Sequence, residues 1–238
     1  MVVFLAIWEL AATNGVVDEF ITSKPSRIVD TFMNLTSNNL LKHIAVTTYE
    51  TIVGFLLGTI LGTIIAIILW WSEYLSKIFE PYLVVLNSLP KVALGPIIII
   101  WVGAGTSAII VMALAISLIV TILEILNGFI NTDSEKIKMA KTFNASKFQI
   151  LTKIVIPANI NTFINSLKVN IGLSLVGVIS GEFLVSKAGL GYLIVYGGQV
   201  FKLDLVMTSV IILGILAGVM YGVVLLLEKI ITKKRLNI

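Results

Sequence analysis

The sequence predicts an all-α polytopic membrane protein, and three observations support that prediction. First, 58% of the 238 residues are hydrophobic and only 13% are charged, whereas about 25% of a soluble domain is charged. Second, long uncharged stretches recur along the chain, and about 20 such residues form a helix that crosses a bilayer. Third, ten of the seventeen basic residues fall in three of the segments that separate those stretches. Since so few polar side chains cannot cover a water-soluble core of this size, an ordinary soluble enzyme is excluded.

The residue counts exclude several kinds of site. There is no cysteine, which excludes disulfides, thiolate metal sites and a cysteine nucleophile. The single histidine, His43, excludes multi-histidine metal sites, and we place it in an outer loop without a partner pattern. We therefore expect no cofactor and no metal. We attribute the net charge of +4 to basic cytoplasmic loops rather than to nucleic acid binding.

Five apolar stretches are long enough to cross a membrane. Residues 51–72 and 205–227 contain no charged residue. The uncharged run from 92 to 123 is too long for one helix, and residues 103–107 (GAGTS) divide it. The predicted spans are roughly 51–72, 76–102, 106–127, 159–182 and 205–227.

The N-terminal region predicts a sixth, incomplete span. Residues 1–12 are apolar apart from Glu9, but they are too few to cross a bilayer unaided. They also lack the basic region and cleavage site of a signal peptide. We interpret residues 1–40 as a partial first transmembrane helix with an extracytoplasmic segment, and residues 41–238 as the transmembrane core. About six transmembrane helices result, with the first one truncated.

The basic residues predict how these spans are oriented. Five lysines lie between 128 and 158, four basic residues follow position 228, and Lys77 lies in a short loop. In a six-span arrangement these ten residues share one side, whereas the other side has five. Because cytoplasmic loops are enriched in lysine and arginine, we assign the first side and both termini to the cytoplasm.

Two spans carry glycines at every fourth position, which places them on one helix face. Such stripes let a neighbouring backbone approach closely in a membrane. We expect tight packing within the subunit, with a contact between subunits as the alternative. The glycines of the two stripes are Gly54, Gly58, Gly62, Gly214, Gly218 and Gly222.

The third predicted span contains a candidate translocation segment. Pro81, Pro90 and Pro96 each lack an amide donor and favour a kink. Broken helices are tolerated at membrane depth where they face protein or a wet cavity. Residues 89–96 (LPKVALGP) are therefore either part of the solute path or a purely structural kink.

Four ionisable residues lie in or beside spans, where charge is costly and commonly functional. We expect Glu124 and Lys168, near cytoplasmic ends, to reach the interface or to pair. Lys91, within the broken segment, is the preferred path candidate. Glu182 precedes a glycine-rich stretch that we interpret as a short outer helix or a gate, and it is a further path candidate.

The largest polar segment, residues 131–157 (NTDSEKIKMAKTFNASKFQILTKIVIP), predicts a short helix-turn-helix. Its first helix breaks at residues 143–144, and Ser146 is suited to cap the second. Pro157 then begins the fifth span, where a missing amide costs nothing. A loop this long in a compact protein usually has a function.

This segment resembles the EAA loop of ABC importer permeases, whose pattern is E-A-A, three residues, G, nine residues and I-x-L-P. Residues 154–157 (IVIP) match its end and Asn144 falls at the glycine, where asparagine also tolerates a left-handed turn. Lys138 falls at the acidic position, so that only Ala140 remains of the leading triplet. Glu135, nearly one turn earlier, is an alternative source of the carboxylate.

An ordered set of further motifs extends the resemblance over nearly the whole chain. Together they resemble the nitrate/sulfonate/taurine branch of binding-protein-dependent permeases. The motifs are residues 7–10 (IWEL), 25–29 (PSRIV), 89–96 (LPKVALGP), 100–103 (IWVG), 181–184 (GEFL) and 189–194 (GLGYLI).

The resemblance implies a type I ABC importer permease with the MetI-like fold, in the inner membrane. Its partners are then two cytoplasmic ATPase subunits, an extracytoplasmic solute-binding protein and a second permease copy, which suggests a homodimer. The solute is a small molecule such as a sulfonate, taurine, a nitrate-like anion or a vitamin precursor. The chain has no G-x-x-x-x-G-K-[ST] phosphate loop, which agrees with ATP hydrolysis on a separate subunit. The residues expected to couple to the ATPase are Lys138, Met139, Ala140, Asn144, Ala145, Ser146, Phe148, Ile150 and Pro157.

Two other functions compete with this interpretation. An ion-coupled secondary transporter often has repeated halves with broken helices, but only one broken segment is present here. A membrane-embedded enzyme needs a cluster of catalytic side chains, which His43 alone does not supply. The sequence does not distinguish a homodimer from a heterodimer or identify the solute.

Overall fold

The computed structural model describes residues 2–37 and 39–236, and within these ranges all regular structure is helical. The predicted all-α fold is thereby confirmed. The N-terminal region forms three short helices, α1 (Val2–Thr13), α2 (Glu19–Thr22) and α3 (Pro25–Ser37). At 1.5 Å per residue α1 is about 18 Å long, less than the thickness of a hydrocarbon core.

Four helices are long and apolar enough to cross a membrane. They are α4 (Leu40–Trp71), α7 (Thr106–Ile130), α11 (Ile160–Val185) and α13 (Leu203–Leu236), and shorter helices lie between them in the chain. Each overlaps a predicted span. The second span nevertheless begins at Leu40 rather than near 51, because Glu50 is accommodated inside the helix instead of ending it.

The third predicted span is a broken pair of helices rather than one kinked helix. It consists of α5 (Glu73–Ser88), a 3-10 turn at Lys91–Leu94 and α6 (Gly95–Val102). The two parts are bent by 87°. Helix α5 continues through Pro81, and the break comes at Leu89 and Pro90, where the chain is extended. Counted as one span, this pair gives five spans in the described residues.

The polar segment and the outer turn are also helical. On the side where α7 ends lie α8 (Ser134–Thr142), α9 (Lys147–Ile150), a π-helical turn at Leu151–Val155 and α10 (Ile156–Ala158). At the other end of the bundle α12 (Leu190–Gln199) joins α11 to α13. The glycine-rich stretch after Glu182 thus forms a short helix, one of the two forms predicted for it.

The three helices α4, α7 and α11 form the centre of the fold, with α7 packed against the other two. Their contact is close because glycines face small side chains. A Cβ at Gly54 would lie 2.6 Å from Ala113 Cβ, and one at Gly62 would lie 2.6 Å from Thr121 Cβ. A seam of buried polar side chains follows the same interface, including Thr51, Ser117, Thr121, Ser166, Asn170 and Ser174.

The N-terminal helices attach to the beginning of α13. Ser23 is buried and donates a hydrogen bond to Asp204 Oδ1 at 2.7 Å. Arg27 lies 3.8 Å from the other oxygen of Asp204. Helix α1 is linked in turn to α3, since Glu9 accepts hydrogen bonds from the Ser26 amide and hydroxyl. These contacts hold the three helices α1, α2 and α3 against the bundle.

Candidate functional site

The polar segment between α7 and α11 has the local structure that its sequence predicts. Asn144 has φ 56°, so asparagine supplies the left-handed turn between α8 and α9. Ser146 Oγ accepts from the Gln149 amide, and Gln149 Oε1 accepts from the Ser146 amide at 2.8 Å. This reciprocal pair is a capping box. Asp133 caps α8 by accepting from the Glu135 amide.

The residues expected at the coupling surface divide into two groups. Ala140 and Ile150 are buried in an apolar cluster with Phe129, so they hold the segment to the bundle and are not available to a partner. Met139 and Phe148 are 60% and 63% exposed.

The other expected coupling residues differ in exposure. Asn144, Ser146 and Lys138 are exposed, and Ala145 packs beside the buried cluster. Pro157 lies in α10, three residues before α11 begins, and is half-buried. The segment therefore has an inner apolar side and an outer side that carries the exposed members of the expected coupling set.

Phe143 belongs to the outer side and is missing from the sequence-derived set. It is 78% exposed at the turn beside Asn144. The sequence placed the turn correctly, but a phenylalanine beside a turn is as compatible with burial as with exposure. Only the inward position of Ala140 and Ile150 shows which side Phe143 takes.

Contacts to α4 fix the segment at its second helix. Lys147 Nζ donates to the carbonyl of Trp71 at 2.7 Å and lies 5.8 Å from the ring centre of Trp70. A cavity of about 510 Å³ lies between this region and α5. The Lys147 contacts therefore join the segment to the end of α4, whereas the cavity separates it from part of α5.

The broken third span brings only part of the predicted path residues together. A Cβ at Gly95 would lie 2.5 Å from Leu184 Cδ1, so the turn before Pro96 packs against the end of α11 close to Glu182. Lys91 instead donates to the carbonyl and side-chain oxygens of Asn87, at 3.0 and 3.2 Å. Its ammonium satisfies the C-terminal end of α5. Within the described residues no hydrogen bond or ion pair joins Lys91 to Glu182.

Glu182 is the centre of a buried polar cluster at the outer end of the bundle. Its side chain is 1% exposed. Oε1 accepts from Thr47 Oγ1 at 2.6 Å, and Oε2 accepts from the Gly191 amide at 2.5 Å. Gly189, at φ +123°, lies so close to the carboxyl group that a Cβ there would overlap it. The first turn of α12 thus wraps around Glu182.

The placement of His43 in an outer loop is wrong, because the residue lies in the first turn of α4. Its Nδ1 accepts from the Gly189 amide at 3.0 Å, and its ring stacks on Tyr192 at a centroid distance of 6.0 Å. The single histidine therefore has partners, which lie about 145 residues further along the chain. Distant contacts of this kind leave no local pattern in the sequence.

Glu50 is the site residue that sequence reasoning missed. The predicted span begins one residue after it, at position 51, yet Glu50 is 1% exposed inside α4 and lies beside Glu182. A signal was present, because positions 43, 47, 50, 54 and 58 recur at helical spacing. The glycine stripe continues into polar residues on the same face.

The remaining ionisable residues have different outcomes. Lys168 on α11 pairs with Glu228 on α13, with 2.8 Å between Nζ and Oε2. This agrees with the expectation that Lys168 pairs. Glu124 has a buried Oε2 without a hydrogen-bond partner among the described residues.

Comparisons with known proteins assign this architecture to a family. The family described as "Binding-protein-dependent transport system inner membrane component" matches residues 54–237. A probable ABC transporter permease of Haemophilus influenzae is 30% identical over 211 residues, covering 89% of this chain and 86% of that protein. A putative aliphatic sulfonates transport permease of Bacillus subtilis is 29% identical over 235 residues, covering 98% and 85%.

A solved structure has the same fold. An inward-facing structure of the MetNI methionine ABC transporter superposes with a TM-score of 0.71 at 17% identity. The match covers 82% of this chain and 95% of that chain. With the family match over three quarters of the sequence, the chain belongs to the binding-protein-dependent inner membrane permeases, in the nitrate/sulfonate/taurine branch, and is the permease subunit of an ATP-driven importer.

Proposed function

We propose that this permease couples to a separate cytoplasmic ATPase through the outer side of residues 134–150. The single observation that carries the proposal is the exposure of Met139, Phe143 and Phe148 on a segment whose other side is buried. Large apolar side chains projecting from a capped and anchored element form a docking surface at low entropic cost. The family supports an ATPase partner, because the importer is driven by ATP and this chain has no phosphate loop.

The same proposal fixes the orientation. The docking surface and the ten clustered basic residues fall at one end of the bundle, which we assign to the cytoplasm together with both termini. The end that carries α12 and the Glu182 cluster then faces the extracytoplasmic binding protein. Two copies of the chain form the translocation path as a homodimer, with one ATPase subunit bound to each.

The solute is a small molecule delivered by the binding protein. A relative named for aliphatic sulfonates covers almost the whole chain, which supports a solute of comparable size. Sulfonates, taurine, nitrate-like anions and vitamin precursors are the proposed range.

Replacing Phe148 and Phe143 by alanine tests the docking surface. We expect the double variant to bind at least about tenfold less ATPase in pull-down measurements, because exposed aromatic side chains contribute most of the binding energy of an interface. Because both rings are exposed, the thermal stability of the permease itself should change little.

Phe201→Ala provides the matched control. Phe201 is 71% exposed at the opposite end of the bundle, so it should leave ATPase binding unchanged. Equal ATPase retention by the double variant and the control would contradict the proposal. Solute uptake by the complex with its binding protein, compared between nitrate, alkanesulfonate and taurine, tests the solute range separately.

A further inference from the structure

The outer end of the bundle contains two buried carboxyl groups, Glu50 and Glu182, side by side. Glu50 is 1% exposed and is hydrogen-bonded to the Glu182 carboxyl group, and no other donor of the described residues is well aligned with either of its oxygens. Burying an uncompensated charge costs several kcal/mol. A buried polar side chain without a well-aligned hydrogen-bond donor is a candidate for binding a ligand.

The neighbouring carboxyl group relieves only part of this cost, because two adjacent carboxyl groups that share one proton still carry one negative charge. Glu182 lies beside Glu50, and its oxygens are already engaged by Thr47 and Gly191. In the described part of the chain no lysine, arginine or histidine nitrogen lies within 4.0 Å of either carboxyl group. The site is therefore a pair of acidic groups that carries a negative charge without a basic side chain paired to it. A positive charge is what the arrangement lacks.

Glu50 also lines a cavity that can admit a ligand. The cavity has a volume of about 400 Å³ and lies between α4, the start of α7 and the turn after α11. This volume is within the usual range for small-molecule sites. Ile109 and Val185 make part of its wall apolar, Thr106 adds a hydroxyl, and the exposed Lys187 lies at its edge.

We propose that this cavity binds a small organic solute through a positively charged nitrogen held by Glu50. An ammonium group presents three donors, which suits the oxygens of the Glu50 carboxyl group once the ammonium displaces the proton shared with Glu182. A bare divalent cation is a poorer fit, because it requires six or more oxygen ligands. The described residues contain no group of three metal-ligating side chains. The apolar wall suits the carbon skeleton of the solute.

This inference rests on the proposed function for its claim that the ligand is the transported solute. The cavity is then an outer vestibule that the solute enters from the binding protein. It shifts the expected selectivity away from Lys91, whose ammonium is held by Asn87. It favours solutes that carry an amino or other cationic nitrogen, whether or not they also carry an acidic group.

The test uses the full chain, assembled with its ATPase in lipid nanodiscs, and three probes that differ only in head group. The probes are n-butylammonium, 1-butanesulfonate and 1-butanol, at equal ionic strength, with sodium chloride alone as reference. Binding to the folded state raises the thermal unfolding midpoint in proportion to occupancy. The four tryptophans provide the fluorescence signal.

We expect n-butylammonium alone to raise the midpoint above the sodium chloride reference. In Glu50→Gln, which keeps the shape of the side chain, the apparent affinity should fall about tenfold or more because a charge-assisted contact is lost. Lys187→Gln is the control of opposite charge and should retain the response.

Several results would overturn the inference. They are an unchanged midpoint with n-butylammonium, an equal rise with sodium chloride or 1-butanol, a rise with 1-butanesulfonate that depends on Lys187, and an undiminished response in Glu50→Gln. If Glu50→Gln does not accumulate, the three probes on the unaltered chain still decide. The assembled complex and its solute uptake report the proposed function separately, so failure of one is distinguishable from failure of the other.

Discussion

Two glycine stripes with the same four-residue spacing have opposite surroundings in this protein. A Cβ added at Gly54 would lie 2.6 Å from Ala113 on α7. A Cβ added at Gly214, Gly218 or Gly222 of α13 would meet no atom of another described helix within 4 Å. The expected packing within the subunit is thus present for the first stripe and absent for the second. The spacing of the glycines predicts a helix face without side chains. Whether another helix packs closely against that face depends on the residues of the other helix.

The difference follows from what stands opposite each stripe. Helix α7 presents its own small residues, Ala113, Ser117 and Thr121, at the same spacing, so two smooth faces meet. The face of α13 that carries the second stripe is exposed in the single chain, with Ile215 and Val219 62% and 60% exposed beside it. Close approach therefore requires small residues on both helices, and the sequence of one helix does not report the other.

Of the substitutions at Gly54, Gly58 and Gly218, Gly54→Ala is expected to have the largest effect. The added methyl would collide with Ala113 Cβ, which has no rotatable bond to relieve the contact. Overpacking of this kind costs about 1–3 kcal/mol, which exceeds the gain of up to about 1 kcal/mol from replacing glycine in a helix. We expect a lower free energy of unfolding, measured by denaturant titration of the purified permease.

A double-mutant cycle controls this prediction. Ala113→Gly removes the colliding methyl and should recover most of the loss caused by Gly54→Ala. Gly177→Ala is the matched control, because its Cβ would meet the Cα and amide of Ala113, at 2.5 and 3.0 Å, which Ala113→Gly leaves in place. Equal rescue of both variants would show that the contacts with α7 are not those described.

A smaller effect is expected for Gly58→Ala. The new Cβ would overlap Ser117 Oγ, which donates to the carbonyl of Ala113 at 2.9 Å. The hydroxyl can rotate away at the cost of a hydrogen bond, about 1 kcal/mol, and the helix gain offsets part of that. Thermal unfolding should show a loss below that of Gly54→Ala.

Ser117→Ala sharpens this second comparison. It removes the overlapping oxygen, so Gly58→Ala should cost less in that background than in the unaltered chain. If the two costs were the same, the hydroxyl would not be the group that opposes the substitution.

The sequence predicts those parts of the fold that local chemistry determines. Hydrocarbon thickness requires long apolar runs, which is why four spans and the broken third span could be located. The turn at Asn144 and the cap at Ser146 depend only on residues within four positions of each other. These local features were correctly predicted.

The features that sequence reasoning missed depend on distant residues. The 87° bend of the third span involves Gly95 against Leu184, 89 positions away. The predicted span starts only after Glu50, because charge is costly in a membrane, whereas Glu50 lies inside a helix beside Glu182. A charged residue usually marks the end of a membrane span, but a residue buried between helices can lie inside one. A single sequence does not show which helices pack together.

The smallest effect is expected for Gly218→Ala, which tests the second stripe directly. No atom of another described helix lies within 4 Å of the new methyl group, so overpacking is absent. The free energy of unfolding should therefore change by no more than about 0.5 kcal/mol, or the substitution should stabilise the folded state. The measurement is the same titration used for Gly54→Ala, on the permease purified without its partners. A loss as large as that of Gly54→Ala would mean that another surface covers this face in the sample, and the contrast between the stripes would then be one of partner rather than of packing. An unchanged stability in the isolated permease, followed by weaker association of two copies when Gly218→Leu is introduced, would place the second stripe between subunits, which is the alternative that the four-residue spacing leaves open.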